Sequence, residues 1–218
     1  MTARKIFEFG GYAAAAILVA FGVAALVLGV NGRSEVRTNV KREQIVGSPD
    51  MTKEGILAEA KQAKLPASVL ATLPTCNVAG KLVSNGDRAK CFASYMRIHA
   101  LEATGGKTYA QMGRFLTKDG KDTNDAALAA KDPKTGNPVE NGARNVWVTE
   151  TALATALNMA FFAEQVSNFG IVVAIALILA GLGFGILAFA SFRWLPAYEA
   201  RTLVTAQATA GKQPPPTT

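Results

Sequence analysis

Two long apolar blocks, each without a charged residue, constrain this chain more than any other feature of its sequence. The first block runs from Tyr12 to Val30 and the second from Phe169 to Phe192. Because a helix rises about 1.5 Å per residue, roughly 20 apolar residues cross the hydrocarbon core of a bilayer. Backbone groups in lipid must bond within their own segment, so both blocks should be helical despite their glycines. The sequence therefore predicts a membrane protein with transmembrane helices at 12–30 and 166–192, and it excludes a simple soluble protein.

The first apolar block has a second interpretation, which is a cleaved signal peptide. Arg4 and Lys5 would form its charged start, and the run Val30-Asn31-Gly32 would form a weak cleavage site. The apolar core of a signal peptide usually has about 7–15 residues, which is shorter than this block. We therefore favour an uncleaved membrane anchor.

Both cysteines of the chain, Cys76 and Cys91, fall in the segment between the apolar blocks. A disulfide between them would stabilise a small domain by roughly 3 kcal/mol by chain-entropy arguments, and disulfides persist in oxidising compartments. Two free thiols or a metal site are the alternatives. Positive charges occur on both sides of the spans and do not fix the orientation. We expect residues 31–165 to form an extracytoplasmic domain, with residues 1–11 and a disordered tail, 193–218, in the cytoplasm.

The composition of the central segment indicates mostly helical structure. Three helices are expected within it: Met51 to Lys64, a helix capped by Asp87 that runs to about Thr104, and a short helix over 109–116 after the capping-box pair Thr108 and Gln111. Gly, Pro and Asp predict irregular chain over 65–83, 119–125 and 132–142, and a helical turn is expected over 125–130. A last helix begins at Asn145 and leads, with little or no break, into the second apolar block.

Helical spacing predicts one apolar stripe on this last helix, facing the domain core. Its members are Val148, Ala152, Leu153, Ala156, Leu157, Ala160 and Phe161. Glu150 and Glu164 are expected to lie away from the stripe.

His99 is the only histidine of the chain, and Glu102 follows it at a distance that shares a helix face. One histidine cannot build a zinc site or an iron triad from histidines. We predict no metal site and no cofactor, with a structural role for His99; a haem or metal ligand, a proton acceptor and a pH sensor are its alternatives. Asp119, Asp122 and Asp125 recur every third residue but lack the spacing of an EF-hand loop, so we interpret them as a solvated turn.

The chain contains none of the common enzyme signatures, such as a nucleophile elbow, a zinc-protease helix, a phosphate-binding loop or a dinucleotide fingerprint. We therefore predict no catalytic residue and do not expect a familiar enzyme. The net charge of +7 comes from basic residues dispersed among acids, unlike the continuous basic surface of nucleic-acid-binding proteins. A nucleic-acid partner is not expected.

Small residues recur at a spacing of four in both apolar blocks, which favours close helix packing. The pairs are Ala20 with Ala24 in the first block and Gly181 with Gly185 in the second. The alternative is that small residues are simply common in alanine-rich spans. Neither block contains an ionisable residue, which argues against proton or ion passage along the helices themselves.

The segments YMRIHALEATGGKTYAQMGRFL, from Tyr95 to Leu116, WVTETALATALN and FGIVVAIALILAGLGFGIL together resemble uncharacterised two-transmembrane proteins of high-GC bacteria. Some of those proteins carry the label of an aromatic ring-opening dioxygenase. Such enzymes bind iron through histidines and a carboxylate, and His99 alone cannot supply that set. The resemblance therefore implies the two-span architecture but no catalytic residue.

These observations predict an all-α membrane protein in which two transmembrane helices bracket a small, mostly helical, extracytoplasmic domain with one disulfide. We expect it to lie in the plasma membrane with both termini cytoplasmic. The predicted function is that of a non-enzymatic structural or accessory subunit that binds another envelope protein, itself, or both. A small oligomeric ion channel is the alternative, and a membrane enzyme or haem protein using His99 is the second alternative.

Overall fold

The computed structural model describes residues 3–193 and is mostly helical, as predicted. Its five helices and two short strands are α1 Ala3–Arg42, α2 Lys53–Gln62, α3 Ala67–Leu70, α4 Gly86–Ala103, β1 Phe115–Leu116, β2 Asp122–Thr123 and α5 Ala143–Arg193. The predicted tail after residue 193, including the aromatic and basic residues that follow the second apolar block, lies outside the described residues. Within them, α1 and α5 are long and apolar enough to cross a membrane.

The chain divides into two compact units. Among the described residues, 3–31 and 167–193 form the first unit, and Gly32–Val166 forms the second. Both long helices extend beyond the apolar blocks. The adjoining segments, 31–42 and 143–168, contain charged residues but no proline that would interrupt a helix. α1 continues to Arg42, and α5 is one unbroken helix from Ala143.

Glycines bring α1 and α5 into close contact inside the first unit. A Cβ at Gly22 would lie 2.7 Å from Cγ1 of Ile178, and one at Gly29 would lie 2.8 Å from Cγ1 of Ile171. A Cβ at Gly181 would lie 2.7 Å from Cγ2 of Val19. Because real Cβ atoms do not approach other atoms so closely, larger side chains at these positions would separate the two helices.

The core of the second unit is built around α4. Tyr95 and Ile56 are fully buried, and Trp147 from α5 is also buried in this cluster. A second cluster packs Val83, Ala89 and Leu157 against the end of α1. Helix α4 thus contributes to both clusters and positions the polar residues described below.

Two local predictions are wrong in detail. The cap of α4 is Asn85, whose Oδ1 accepts a hydrogen bond from the Arg88 amide at 2.9 Å, whereas Asp87 lies in the first turn. The capping box of Thr108 and Gln111 is present, but it starts only a 3-10 turn, Tyr109–Gln111.

The predicted helix does not continue after this turn because the chain enters an antiparallel pair, in which Phe115 lies opposite Thr123 and Leu116 opposite Asp122. Gly113 allows this pairing, since a Cβ there would lie 2.4 Å from the Thr123 amide nitrogen. Likewise, residues 126–128 form a hydrogen-bonded turn rather than the expected helical turn.

The buried side of α5 also differs from the predicted stripe. Leu157 is buried as expected, and Leu153, Ala160 and Phe161 are partly buried, but Val148, Ala152 and Ala156 are exposed. Glu150 and Glu164, expected outside, are only 5% and 4% exposed. The reason is that apolar residues occur on several sides of this helix and include many alanines, so their periodicity does not define one inward face.

Candidate functional site

One face of α4 collects the chemically distinctive side chains of the second unit. Cys91, Tyr95 and His99 follow each other at intervals of four and therefore share that face. Cys91 forms the predicted disulfide with Cys76, with Cα atoms 6.1 Å apart. The Tyr95 hydroxyl donates a hydrogen bond of 2.5 Å to the Cys76 carbonyl oxygen. These two bonds fix how α4 is rotated and leave His99 facing the region of α2.

Two carboxylates approach His99 from the α2 region. Glu59 lies within α2, and Asp50 lies in the turn that precedes it. The Thr52 amide donates to the Asp50 carbonyl oxygen at 2.6 Å, and the Thr52 hydroxyl caps α2 by accepting from the Gly55 amide at 3.0 Å. A Cβ at Gly55 would lie 2.3 Å from that carbonyl oxygen, so only glycine lets the turn fold over α2 and bring Asp50 to His99.

The three side chains form a compact cluster. Nε2 of His99 lies 2.8 Å from Oδ2 of Asp50 and 3.3 Å from Oε2 of Glu59. Among the described residues, these three supply one potential ligand atom each, and the atoms lie within 4.8 Å of one another. Each side chain is about 30% exposed. The cluster is therefore packed on the protein side but open enough for a small ion to enter.

The electrostatics of the two carboxyl groups differ. Burial would raise the pKa of Asp50, but the Ser48 hydroxyl and the nearby charge of His99 outweigh it, so this pKa lies below its ordinary value. Burial raises the pKa of Glu59; His99 opposes this shift, while the negative charges of Asp50 and Glu102 add to it. Asp50 therefore loses its proton more readily than Glu59 does. The negative charge of an ionised Glu59 is not fully balanced by the positive charge around it.

Two polar atoms of the cluster have no hydrogen bond. Nε2 of His99 and Oε2 of Glu59 are shielded from solvent, and neither has a partner in suitable geometry, although oxygen atoms lie at ion-pair distance from Nε2. Buried polar atoms almost always have a partner. The cluster thus presents a nitrogen and an oxygen that meet at ion-pair distance without a well-directed hydrogen bond.

Glu164 forms a second buried polar centre, next to the N-terminus of α4. Its Oε1 accepts a hydrogen bond from Nε of Arg37 at 2.7 Å and lies 2.6 Å from Nη2 of the same side chain, and its Oε2 accepts from the Gly86 amide at 2.6 Å. A Cβ at Gly86 would lie 2.7 Å from Cα of Phe161, so glycine is needed for this close approach. The carboxylate therefore joins α5 to the C-terminal part of α1 and to the N-terminus of α4 within the second unit.

The opposite side of α5 carries a row of exposed side chains within the second unit, which we call the exposed α5 face. It consists of Val148, Ala152, Thr155, Met159, Phe162 and Val166. Phe162 is 59% exposed and Met159 is 56% exposed. The spacing alternates between four and three residues, which is the repeat that lets helices pair as a coiled coil.

The remaining predicted site residues lie apart from these features. Gly181 contacts α1 of the same chain, whereas a Cβ at Gly185 would meet Ala15 at an ordinary 3.7 Å. Ala20 and Ala24 are exposed.

Asp119 and Asp125 occupy exposed turns, as expected, whereas Asp122 lies in strand β2 and is partly buried. Asp122 accepts from Lys107 at 2.7 Å and from the Gly113 amide at 2.6 Å, and Asp119 pairs with Lys121 at 3.0 Å. The side chain of Asp125 accepts from the Ala127 amide at 2.8 Å. These carboxylates are thus used in stabilising turns.

The sequence indicated His99 but not its partners. Glu102 was the neighbour suggested by helix spacing, and it is exposed, whereas Asp50 and Glu59 come from segments 40 or more residues earlier in the chain. Gly55, three residues after the cap Thr52, is the sequence signal that another segment of the chain passes close to the start of α2. Comparison with protein-family models, with curated proteins and with solved structures gives no match to this chain.

Proposed function

We propose that this protein is a non-enzymatic membrane protein that assembles with copies of itself through the exposed α5 face. In this proposal α1 and α5 both cross the plasma membrane, and residues 31–165 form an extracytoplasmic domain between two cytoplasmic termini. Two observations support the topology: two helices have the required length and apolar composition, and a disulfide lies in the domain between them, as is usual in oxidising compartments.

The exposed α5 face carries the proposal of self-assembly. Val148, Met159, Phe162 and Val166 are each more than half exposed, and large apolar side chains in a row at this spacing favour burial against a second helix. The other side of the same helix packs within its own unit through Leu157 and Trp147. A helix with one face buried and an apolar face left open is suited to an interface.

A second copy of the chain is the partner that fits this face. Copies inserted in one membrane with the same topology place their α5 helices parallel, so each residue of the face meets itself. Charged residues would then repel. The positions that flank the face are uncharged: Thr149, Thr151, Ala156, Asn158, Ala163 and Gln165. The only charged residues between 148 and 166, Glu150 and Glu164, are buried on the other side.

The mass of the protein in mild detergent tests this proposal. Wild type should be oligomeric by light scattering, and Phe162→Glu should weaken association by about tenfold or more, because a central apolar contact is replaced by facing like charges. Leu128→Glu is the matched control, since Leu128 is 64% exposed but lies outside α5. That variant should keep the wild-type mass, and both variants should keep wild-type helicity.

Two outcomes would contradict self-assembly. A wild type that is monomeric at all concentrations and is not cross-linked in liposomes through Met159→Cys would show that no second copy covers the face. Equal masses of wild type and Phe162→Glu would show that any assembly uses another surface. Quenching of a fluorophore at position 162 by brominated lipid tails would identify lipid as the actual occupant.

A further inference from the structure

We propose that Asp50, Glu59 and His99 bind one divalent transition-metal ion of the zinc class. The site does not depend on the proposed self-assembly, because Asp50, Glu59 and His99 lie on α2, α4 and the turn before α2, and none of them belongs to the exposed α5 face. Three observations carry the proposal: the geometry of the three ligand atoms, the two atoms that lack a well-directed hydrogen bond, and the chemistry of the donor set.

The distances fit a shared ion. A metal held about 2.0–2.2 Å from each of three ligands in tetrahedral geometry places neighbouring donor atoms roughly 3.4 Å apart. Nε2 of His99 lies 2.8 Å from Oδ2 of Asp50 and 3.3 Å from Oε2 of Glu59. A small movement of side chains that are each about 30% exposed is sufficient to centre an ion among them.

Two of these atoms also lack a well-directed hydrogen bond. Nε2 of His99 and Oε2 of Glu59 are shielded from solvent, and Nε2 contacts the carboxylates only at ion-pair distance. An ion at the centre of the cluster would bond to both atoms and would neutralise two carboxylates that lie close together.

The donor set selects the class of ion. Magnesium and calcium prefer oxygen ligands alone, whereas one imidazole nitrogen with two carboxylate oxygens suits zinc and its neighbours. Three protein ligands also leave a coordination position for water, as in many zinc sites. The surrounding structure holds the ligands in place: the Cys76–Cys91 disulfide and Tyr95 fix α4, and Gly55 admits the turn that carries Asp50.

Metal binding is measured on the full-length protein in mild detergent, with the disulfide intact and with a histidine-free affinity tag, because His99 is the only histidine of the chain. After treatment with a chelator and its removal, Co²⁺ should bind at one ion per chain with visible absorption bands, and Zn²⁺ should displace it while excess Mg²⁺ should not. The single imidazole should give one histidine NMR signal, which shifts when Zn²⁺ is added.

Variants decide which residues hold the ion. His99→Asn and Glu59→Gln should each weaken Zn²⁺ binding by more than about tenfold, since even residues that only orient ligands have effects of that size. Asp87→Asn is the matched control, because Asp87 is an exposed carboxylate in the first turn of α4, twelve residues before His99, and this variant should bind Zn²⁺ as wild type does. Helicity and peptide mapping of the disulfide establish that each variant is folded.

The proposal is overturned if wild type takes up no Co²⁺ or Zn²⁺ from micromolar solution, or if the imidazole signal does not shift. It is also overturned if folded Glu59→Gln binds like wild type. Should His99→Asn fail to fold, the NMR signal of wild type and the folded Glu59→Gln variant still give the answer.

Discussion

Replacing Glu164 with glutamine tests the polar centre that joins α1, α4 and α5 within the second unit. Glutamine has the same size as glutamate but carries no charge, and one of its two oxygens becomes an NH₂ donor. In the structure the polar neighbours of the Glu164 carboxylate are donors: the Arg37 guanidinium at 2.6 and 2.7 Å, the Gly86 amide at 2.6 Å and Nε of Arg33 at 3.6 Å. The new NH₂ group must therefore face a donor in either orientation.

The size of the effect follows from these contacts. A hydrogen bond to a charged group contributes about 1.5–3 kcal/mol, and breaking a buried ion pair by removing one partner costs about 3–5 kcal/mol. The Arg37 side chain is 38% exposed and regains water when its partner is lost, which reduces the cost. We expect Glu164→Gln to lower the free energy of unfolding by about 2–3 kcal/mol, or the midpoint of thermal unfolding by on the order of 5–10 °C.

Fluorescence of Trp147 provides the assay, because this side chain is 3% exposed and its Nε1 donates to the Lys107 carbonyl oxygen at 2.7 Å. In a Trp194→Phe background it is the only tryptophan of the chain. Asp87→Asn is the matched control, since it removes an exposed carboxylate from the first turn of the same helix α4. Its expected cost is below about 1 kcal/mol.

The dependence of the unfolding free energy on pH gives a second test of the same variant. Burial would raise the pKa of Glu164, but the Gly86 amide and the charges of Arg37 and Arg33 bring it below its ordinary value. A carboxyl group with a lowered pKa in the folded state stabilises the fold above its ordinary pKa, and this stabilisation is lost as the pH falls through the lowered pKa. The difference between wild type and Glu164→Gln should therefore be full at neutral pH and shrink in acid. If the variant unfolds like Asp87→Asn at neutral pH, the contacts of Glu164 do not stabilise the unit.

Three further predictions concern the disulfide, the paired helices and the topology. Reducing Cys76–Cys91 should lower stability by roughly 3 kcal/mol, with the linked peptide found by non-reducing mapping; two alkylatable thiols before reduction would contradict the bond. Gly181→Leu should lower the unfolding temperature in detergent because its side chain would collide with Val19, whereas Gly183→Leu, with no atom within 4 Å of its Cβ position, should not; equal effects would contradict the helix contact. Lys118→Cys should react with an impermeant maleimide on intact cells and Thr217→Cys should not; the reverse labelling would refute an outer domain.

Much of the helical framework could be predicted from the sequence because its signals are local. Three local signals indicate helices without reference to what the helices pack against. They are the uncharged runs of about 20 residues, the helix formers before Pro66 and the glycine pair after α4. Gly105 and Gly106 indeed have φ values of 62° and 79°, a conformation that ends a helix and favours glycine. The cap of α4 was misplaced by two residues because Asn85 and Asp87 are both good capping residues, and only the geometry distinguishes them.

The cluster around His99 could not be predicted because its partners are distant in sequence. Helix spacing identifies residues three or four positions away, and it suggested Glu102. The true neighbours are set by the packing of α2 against α4, which depends on the fully buried Ile56 and Tyr95 and on the disulfide of Cys91. A carboxylate brought near by such packing leaves no local pattern.

The faces of α5 show why a periodic pattern fails on a helix that is apolar on several sides. Between residues 148 and 166, 12 of 19 positions are apolar and they occur on several sides of the helix, so the choice of the inward face also depends on where the polar groups find partners. Glu164 is directed inward because Arg37 and the Gly86 amide supply donors there, and this sets the rotation of the helix. Met159 and Phe162 are consequently directed outward, although either would fit a core. The buried carboxylate thus determines which apolar side chains are available to a partner, and Glu164→Gln should weaken self-assembly only as far as it loosens this rotation.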